Sequence, residues 1–154
     1  LETLETPIIA SDTSESLHAR LADLGATGIT EAMARVGELT PVPQADDGVC
    51  YADKIDKAEA RIDWTRPAYE VDCHIRGLSP FPGAWFEVDG KRVKVLGATP
   101  VDVEGPAGQV VTGAPVIACG KGGLRLDRLQ RAGKAALDGT DFMNGGLLVP
   151  GQQL

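Results

Sequence analysis

Residues 65–88 constrain the fold more than any other stretch, because their apolar spacing changes from helical to strand-like across two prolines. Four apolar side chains have the spacing of one buried helix face: Ala68, Val71, Ile75 and Leu78. Pro67 suits the first helical turn, and Thr65 is a candidate cap. Because the residue before a proline avoids helical geometry, the helix is predicted to end near Ser79.

The corner after this helix, SPFPGAW, predicts a rigid change of direction. Pro80 and Pro82 restrict the backbone, and Gly83 permits a sharp bend into the strand that follows. Arg76 is expected to anchor the corner through hydrogen bonds to partners that the sequence does not identify. The corner is therefore interpreted as structural, joining a helix to the first strands of a sheet.

A hairpin follows the corner, in AWFEVDGKRVKVLGATPV. Asp89-Gly90 suits a tight primed turn between two alternating strands. Val93 and Val95 are predicted to face the core. The bases between them then face outward, because side chains alternate along a strand: Arg92 and Lys94.

Three more short strands are predicted in GQVV, PVIACG and GLRLDRLQ, separated by glycine-bearing turns. Leu129 departs from the alternation of Leu124 and Leu126, which predicts a bulge or the strand end near Arg128. The tail DGTDFMNGG predicts one short helix, with Thr140 or Asp141 at its start.

The first third of the chain predicts two helices of a different domain. Asp12 and Glu15 suit a capping box, and Gly25 is expected to end the first helix. Its apolar face comprises Leu17, Leu21 and Leu24. The second helix is expected to bury Ile29, Met33 and Val36. TPVPQADDG then breaks regular structure, which predicts domains at 1–44 and 45–154.

The predicted fold class is α+β and mostly β. About five short strands with one helix suggest an open OB-like Greek-key β-barrel in residues 45–154. The two helices of residues 1–44 are interpreted as a remnant of an α/β domain. Pattern alone does not define the strand order.

Charge is distributed unevenly along the chain, whose net charge is -7. Residues 1–50 contain nine acidic and two basic residues, whereas residues 51–154 contain thirteen of each. The bases of the second part cluster, most clearly around 54–61, 91–94 and 125–134. Such clusters are usually solvated surface, but a basic stripe on a neutral domain also suits a phosphate backbone.

Signatures of catalysis and metal binding are missing from the sequence. There is no nucleophile elbow or zinc-protease motif, and His18 and His74 have no second ligand at metal spacing. The three cysteines are scattered and are expected to be reduced, buried thiols. No apolar run is long enough to cross a bilayer. Because the chain begins at Leu1 without a signal-like segment, we expect a fragment or processed chain from the cytoplasm.

Five segments occur in an order that resembles the C-terminal domain of the methionyl-tRNA formyltransferase family: YADKIDKAEARIDW, IRGLSPFPGAW, VKVLGA, GQVV and LRLDRLQRAGK. PIIASDTSESLHARLADLGATGI is similar to the end of that family's catalytic domain, after its catalytic aspartate. The resemblance covers essentially the whole chain. The motifs IDW, IR and PFPGA are shared with related formyltransferases, whereas LQRAGKAALDGTDFMNGG is more typical of the tRNA enzymes.

The resemblance implies an enzyme that transfers a formyl group from 10-formyltetrahydrofolate to methionyl initiator tRNA. The family's catalytic residues would lie upstream of Leu1, so this chain is expected to be inactive alone and to bind no cofactor or metal. Its implied role is to help hold tRNA, through Lys54, Lys57, Arg61, Arg92, Lys94, Arg128 and Lys134. An apolar helix face left without its partner domain implies non-physiological self-association.

Two alternatives remain open at this point. The chain also suits the C-terminal module of another formyltransferase, acting on a nucleotide sugar or on formyltetrahydrofolate. A stand-alone OB-type RNA-binding module is the other, although aromatic residues, which such modules use for base stacking, make up only 5% of the chain.

Overall fold

The computed structural model describes residues 3–112 and 114–154, which form two compact units, Leu1–Ile55 and Asp56–Leu154. The division lies later than the boundary at 44/45 expected from composition. Gly113, in a predicted glycine-bearing turn, lies outside the described residues.

The first unit contains one continuous helix, α1 (Ser14–Ala34), in place of the two predicted. The prediction that Gly25 ends a helix is wrong. A helical glycine costs only about 1 kcal/mol, and no proline within α1 removes a backbone donor. The predicted capping box is wrong as well, because Thr13 caps the helix through Ser16.

The apolar side chains of α1 are not buried, contrary to the prediction for its second half. Ile29 and Met33 of α1, and Val36 just after it, are 60%, 64% and 67% exposed, and no described residue of the helix is buried. Asp12, just before the helix, is buried and accepts hydrogen bonds from Arg20, which is the largest cause lowering its pKa to about 2.

The second unit is α+β, with an open antiparallel sheet. Helix α2 (Ala68–Leu78) leads into β1 (Ala84–Val88) and β2 (Lys91–Val101). The chain continues through β3 (Val110–Thr112), β4 (Val116–Ala118), β5 (Gly123–Arg131), β6 (Ala136–Asp138) and α3 (Gly139–Asn144). The described strands are ordered β1-β2-β5-β4-β3, and β6 pairs with β5.

The helix and hairpin predictions are confirmed. Four side chains of α2 are buried as predicted, namely Ala68, Val71, Ile75 and Leu78. Asp89 and Gly90 have φ values of 49° and 70°, which is the geometry of a primed turn. Val93 and Val95 are fully buried. Thr65, however, is not the cap of α2, which begins after Pro67 without a side-chain cap.

The predicted irregularity in β5 is a bulge within the β2–β5 pairing. Leu126 pairs with Ala98 and Arg128 with Gly97, and the register shifts there. The shift allows Leu124, Leu126 and Leu129 all to reach the core. Helix α3 begins after Asp138, so neither Thr140 nor Asp141 is its cap. Strand β6 was not predicted.

Helix α2 is joined to the β4–β5 turn by close backbone packing. The Gly120 N–H donates to the carbonyls of Trp64 and Arg66, each at 3.0 Å, and Ala68 N donates to Lys121 O at 3.0 Å. A Cβ at position 120 would overlap the carbonyl oxygen of Thr65, so this crossing requires glycine.

Cys119 is buried, and burial raises its pKa to about 11. The expectation of buried thiols is wrong for Cys50, which is exposed, and Cys73 is half-buried. Across the described part of the chain, no helix is both long and apolar enough to span a membrane.

Candidate nucleic-acid interface

Three neighbouring strands place polar and aromatic side chains on the outer face of the sheet. Trp85 of β1 pairs with Lys94 of β2, and Lys94 pairs with Gln130 of β5. Side chains at paired positions stand side by side across a sheet. Lys94 and Arg92 lie on the face opposite the buried Val93, as the alternation predicted.

Trp85 is half-buried and held from several sides. Its indole N–H donates to the carbonyl of Lys57 at 3.3 Å. The guanidinium carbon of Arg92 lies 4.1 Å from the ring centroid, and that of Arg61 lies 5.8 Å away. Cation–π attraction therefore holds two basic side chains around this tryptophan.

The segment that carries Lys57 pairs with the edge of β1. Trp85 N donates to Ala60 O at 2.8 Å, and Ile62 N donates to Trp85 O at 2.7 Å. Ala60 and Ile62 are buried, so the alternation leaves Arg61 exposed. This edge pairing brings residues 57–61 beside the outer face of the hairpin.

The corner between α2 and β1 forms another wall. Ser79 donates through its hydroxyl to Leu96 O at 2.8 Å, and Gly83 N donates to Leu78 O at 2.9 Å. Gly83 has a φ of 83°, and a Cβ there would stand 2.8 Å from the Cδ of Lys94. The glycine thus permits both the bend and the path of the lysine. Phe81 at the tip of the corner is 78% exposed.

Arg76 anchors the helix end, and the structure identifies its partners. Its Nε donates to Asp72 at 2.9 Å and its terminal nitrogen to the Cys73 sulfur at 3.3 Å. This hydrogen bond to the Asp72 carboxylate is the main cause that raises the pKa of Arg76. Both of these contacts lie within α2.

Together these elements enclose a groove of about 400 Å³, here called the basic groove. Its cationic lining comprises Lys57, Arg92, Lys94, Arg131 and Lys134. Phe81, Pro82 and Trp85 supply its larger apolar surfaces. No Asp or Glu of the described residues lines it. On a chain with net charge -7, this is a strongly segregated cationic surface.

The five cations of the basic groove form no ion pair with any carboxylate that the structure describes. Arg131 packs over the Phe142 ring at 5.1 Å instead, and its buried Nε has no acceptor among the described residues. By contrast, Arg66 pairs with Glu70 at 2.7 Å outside the groove. The groove is therefore electrostatically unneutralised and suits a polyanion.

The structure brings together most of the basic residues that the sequence analysis proposed for tRNA binding. Lys57, Arg92, Lys94 and Lys134 line the basic groove, and Arg61 lines an adjoining groove of about 290 Å³. Arg128 is exposed and pairs with Asp138 at 3.1 Å, outside both grooves. Lys54 belongs to the first unit.

Sequence reasoning missed three groove residues, namely Phe81, Trp85 and Arg131. The two aromatic side chains were interpreted as parts of a structural corner. Arg131 belongs to the basic cluster of 125–134, which was the signal available for it. Their common location follows from the edge pairing at Trp85 and from the β2–β5 register.

The histidines do not extend the site. Burial lowers the pKa of His74, which favours its neutral form, and His18 is exposed on α1. In the described ranges no group of three or more His, Cys, Asp or Glu side chains is placed to hold a metal ion.

The second unit is thus an α+β domain whose antiparallel sheet carries a cationic outer groove. Residues 54–147 match the family model described as the formyl transferase C-terminal domain. The chain belongs to the formyl transferase family through this domain.

Its curated relatives include the methionyl-tRNA formyltransferase of Ruegeria pomeroyi, which is 56% identical over 149 residues. That alignment covers 97% of this chain and 50% of the relative. The methionyl-tRNA formyltransferase of Sinorhizobium medicae is 55% identical, over 93% of this chain and 48% of the relative. The chain thus spans about half the length of these relatives.

Solved structures show the same fold at low sequence identity. A variant of HypX from Aquifex aeolicus matches 90% of this chain and 27% of its own, with a TM-score of 0.70 and 20% identity. HypX in complex with tetrahydrofolic acid matches 75% of this chain with a TM-score of 0.59.

Proposed function

We propose that this chain is the C-terminal part of a methionyl-tRNA formyltransferase and that its basic groove holds tRNA. The whole enzyme would transfer formyl from 10-formyltetrahydrofolate to the amino group of methionyl initiator tRNA, in the cytoplasm. The observation that carries the proposal is the set of unpaired cations in the groove, on a chain closely similar to named methionyl-tRNA formyltransferases.

The physical basis is phosphate neutralisation. A cation without a carboxylate partner pairs with a phosphate and releases its counterions, so affinity falls steeply with salt. Lys57, Arg92, Lys94 and Lys134 satisfy this condition, and Arg61 adjoins them. Arg128, neutralised by Asp138, contributes less. Lys54 is proposed to add a contact from the first unit.

For the fold of the second unit we propose a more specific class than an open antiparallel sheet. We assign the second unit to the OB-like, Greek-key class of open barrels, supported by the long β2 with its register shifts around Gly97 and by the strand order β1-β2-β5-β4-β3. The two-domain division proposed at 44/45 is best tested by limited proteolysis of residues 40–56.

The chain alone is proposed to be inactive, to bind no cofactor or metal, and to assist the reaction by holding its substrate. Adding the chain to methionyl initiator tRNA and 10-formyltetrahydrofolate should yield no formylmethionyl-tRNA. Self-association through exposed Ile29, Met33 and Val36 is proposed for the isolated chain. A change in elution volume upon substituting these residues by Ser would support it.

The deciding experiment is a titration of the chain with methionyl initiator tRNA and with an unrelated RNA of equal length, at two salt concentrations. We expect tighter binding of the initiator tRNA and steep weakening with salt. Equal, salt-insensitive binding of both RNAs would contradict the proposal. Indifference to RNA together with binding of a nucleotide sugar or a folate would favour the other formyltransferase modules.

A stand-alone RNA-binding module is the second candidate, favoured by the exposed Phe81 beside the cations. Binding of any RNA with one affinity would support it over the tRNA enzyme.

A further inference from the structure

Phe81 is the least explained side chain of the second unit. It is 78% exposed at the tip of the corner, yet the backbone on both sides of it is constrained. A proline follows and another precedes it, while Ser79 and Gly83 are tied by hydrogen bonds to Leu96 and Leu78. Its ring is thus presented to solvent at the wall of the basic groove on a preorganised loop.

Trp85 cannot serve as a second open stacking face. The guanidinium of Arg92 covers its ring at 4.1 Å, and its N–H is already bonded to Lys57 O. Trp85 instead holds Arg92 in place at the groove. The groove therefore combines one open aromatic ring, that of Phe81, with several cations, of which Arg92 is held in place by Trp85.

This combination matches a nucleotide whose base is not paired. An aromatic ring accepts a base by stacking, and cations take the flanking phosphates. The groove volume of about 400 Å³ is that of a small-molecule pocket, roughly 300–1,000 Å³. A duplex hides its base faces within the helix and would leave Phe81 without a partner.

We propose that the basic groove binds single-stranded RNA, with an unpaired base stacked on Phe81 and its adjacent phosphates at Lys94 and Lys134. This inference rests on and deepens the proposed function, because it specifies an unpaired part of the RNA as the ligand of the groove. In this arrangement Phe81 contributes affinity for the nucleobase, and the two lysines contribute affinity for the phosphates.

The test measures fluorescence anisotropy of a labelled single-stranded RNA hexamer and of a blunt RNA duplex, at several salt concentrations. The variants are F81A, F81Y and K94A. Y69A is the matched control, because Tyr69 is an aromatic residue 71% exposed on α2 and outside the basic groove.

F81A is expected to weaken hexamer binding about tenfold at an unchanged salt slope, since stacking involves no counterions. F81Y should retain the affinity, and Y69A should equal the wild type. K94A should lower the salt slope by about 0.7. Duplex binding should be insensitive to F81A.

Equal hexamer binding by F81A and the wild type would overturn the inference. Binding of duplex and initiator tRNA without binding of the hexamer would also overturn it, while the proposed function would stand. Hexamer binding through Phe81 without preference for initiator tRNA would support the inference and reject the proposed function.

Discussion

Replacing Lys94 and Lys134 by alanine should selectively weaken the salt-dependent binding of tRNA. Both side chains line the basic groove, and neither pairs with a carboxylate of the part of the chain that the structure describes, so each is counted as neutralising one phosphate. With a slope of about 0.7 per contact on a single strand, the double variant should lose about 1.4 from the slope of log K against log salt.

At about 0.1 M salt this change corresponds to roughly 25-fold weaker binding, if affinities converge near 1 M. The assay is anisotropy of labelled initiator tRNA at four or more salt concentrations. Unfolding by urea should change little, because Lys134 is exposed, Lys94 is only half-buried and neither forms an ion pair among the described residues.

The matched control removes two charges from outside the groove, in R66A/R125A. Arg66 and Arg125 pair with Glu70 and Asp127, so their loss lowers net charge equally without removing a free cation. We expect a slope change below about 0.5. Equal slopes for the two double variants would refute the assignment of the groove and reduce the effect to net charge.

Four further predictions concern stability and reactivity. G77A should stabilise the chain by about 0.5–1 kcal/mol in urea unfolding, because this helical glycine has open space around it. G120A should prevent stable folding or cost more than about 3 kcal/mol, since its Cβ overlaps a backbone carbonyl; a neutral result would contradict the described crossing. D72A should cost about 2 kcal/mol by leaving Arg76 partly buried without its carboxylate, as measured by thermal unfolding, and no loss would count against the pair. Cys119 should resist alkylation at pH 8, because a pKa of about 11 keeps it as the thiol, whereas labelling in urea should be complete; rapid labelling of the native chain would contradict its burial.

The site was partly predictable. Alternation along the hairpin placed Arg92 and Lys94 on the outer face, and both line the groove. Phe81 and Trp85 were interpreted as structural because turn chemistry alone explained their segment. Their second role depends on which bases stand beside them, and that depends on contacts between residues distant in sequence.

Local chemistry determined several elements from the sequence. The spacing of α2, the primed turn at Asp89-Gly90 and the inward Val93 and Val95 all follow from steric limits and side-chain periodicity within a few residues. Resemblance within the sequence likewise indicated the family.

Tertiary structure decided what short-range patterns leave open. The continuation of α1 through Gly25 is an exception, because it reflects the small local cost of glycine against an uninterrupted hydrogen-bond ladder. The basic groove forms because the edge pairing at Trp85 brings Lys57 beside β2, while the β2–β5 register brings Gln130 beside Lys94 and Lys134 into the same lining. Such pairings are set by burial and register over the whole sheet, which no local window of the sequence contains.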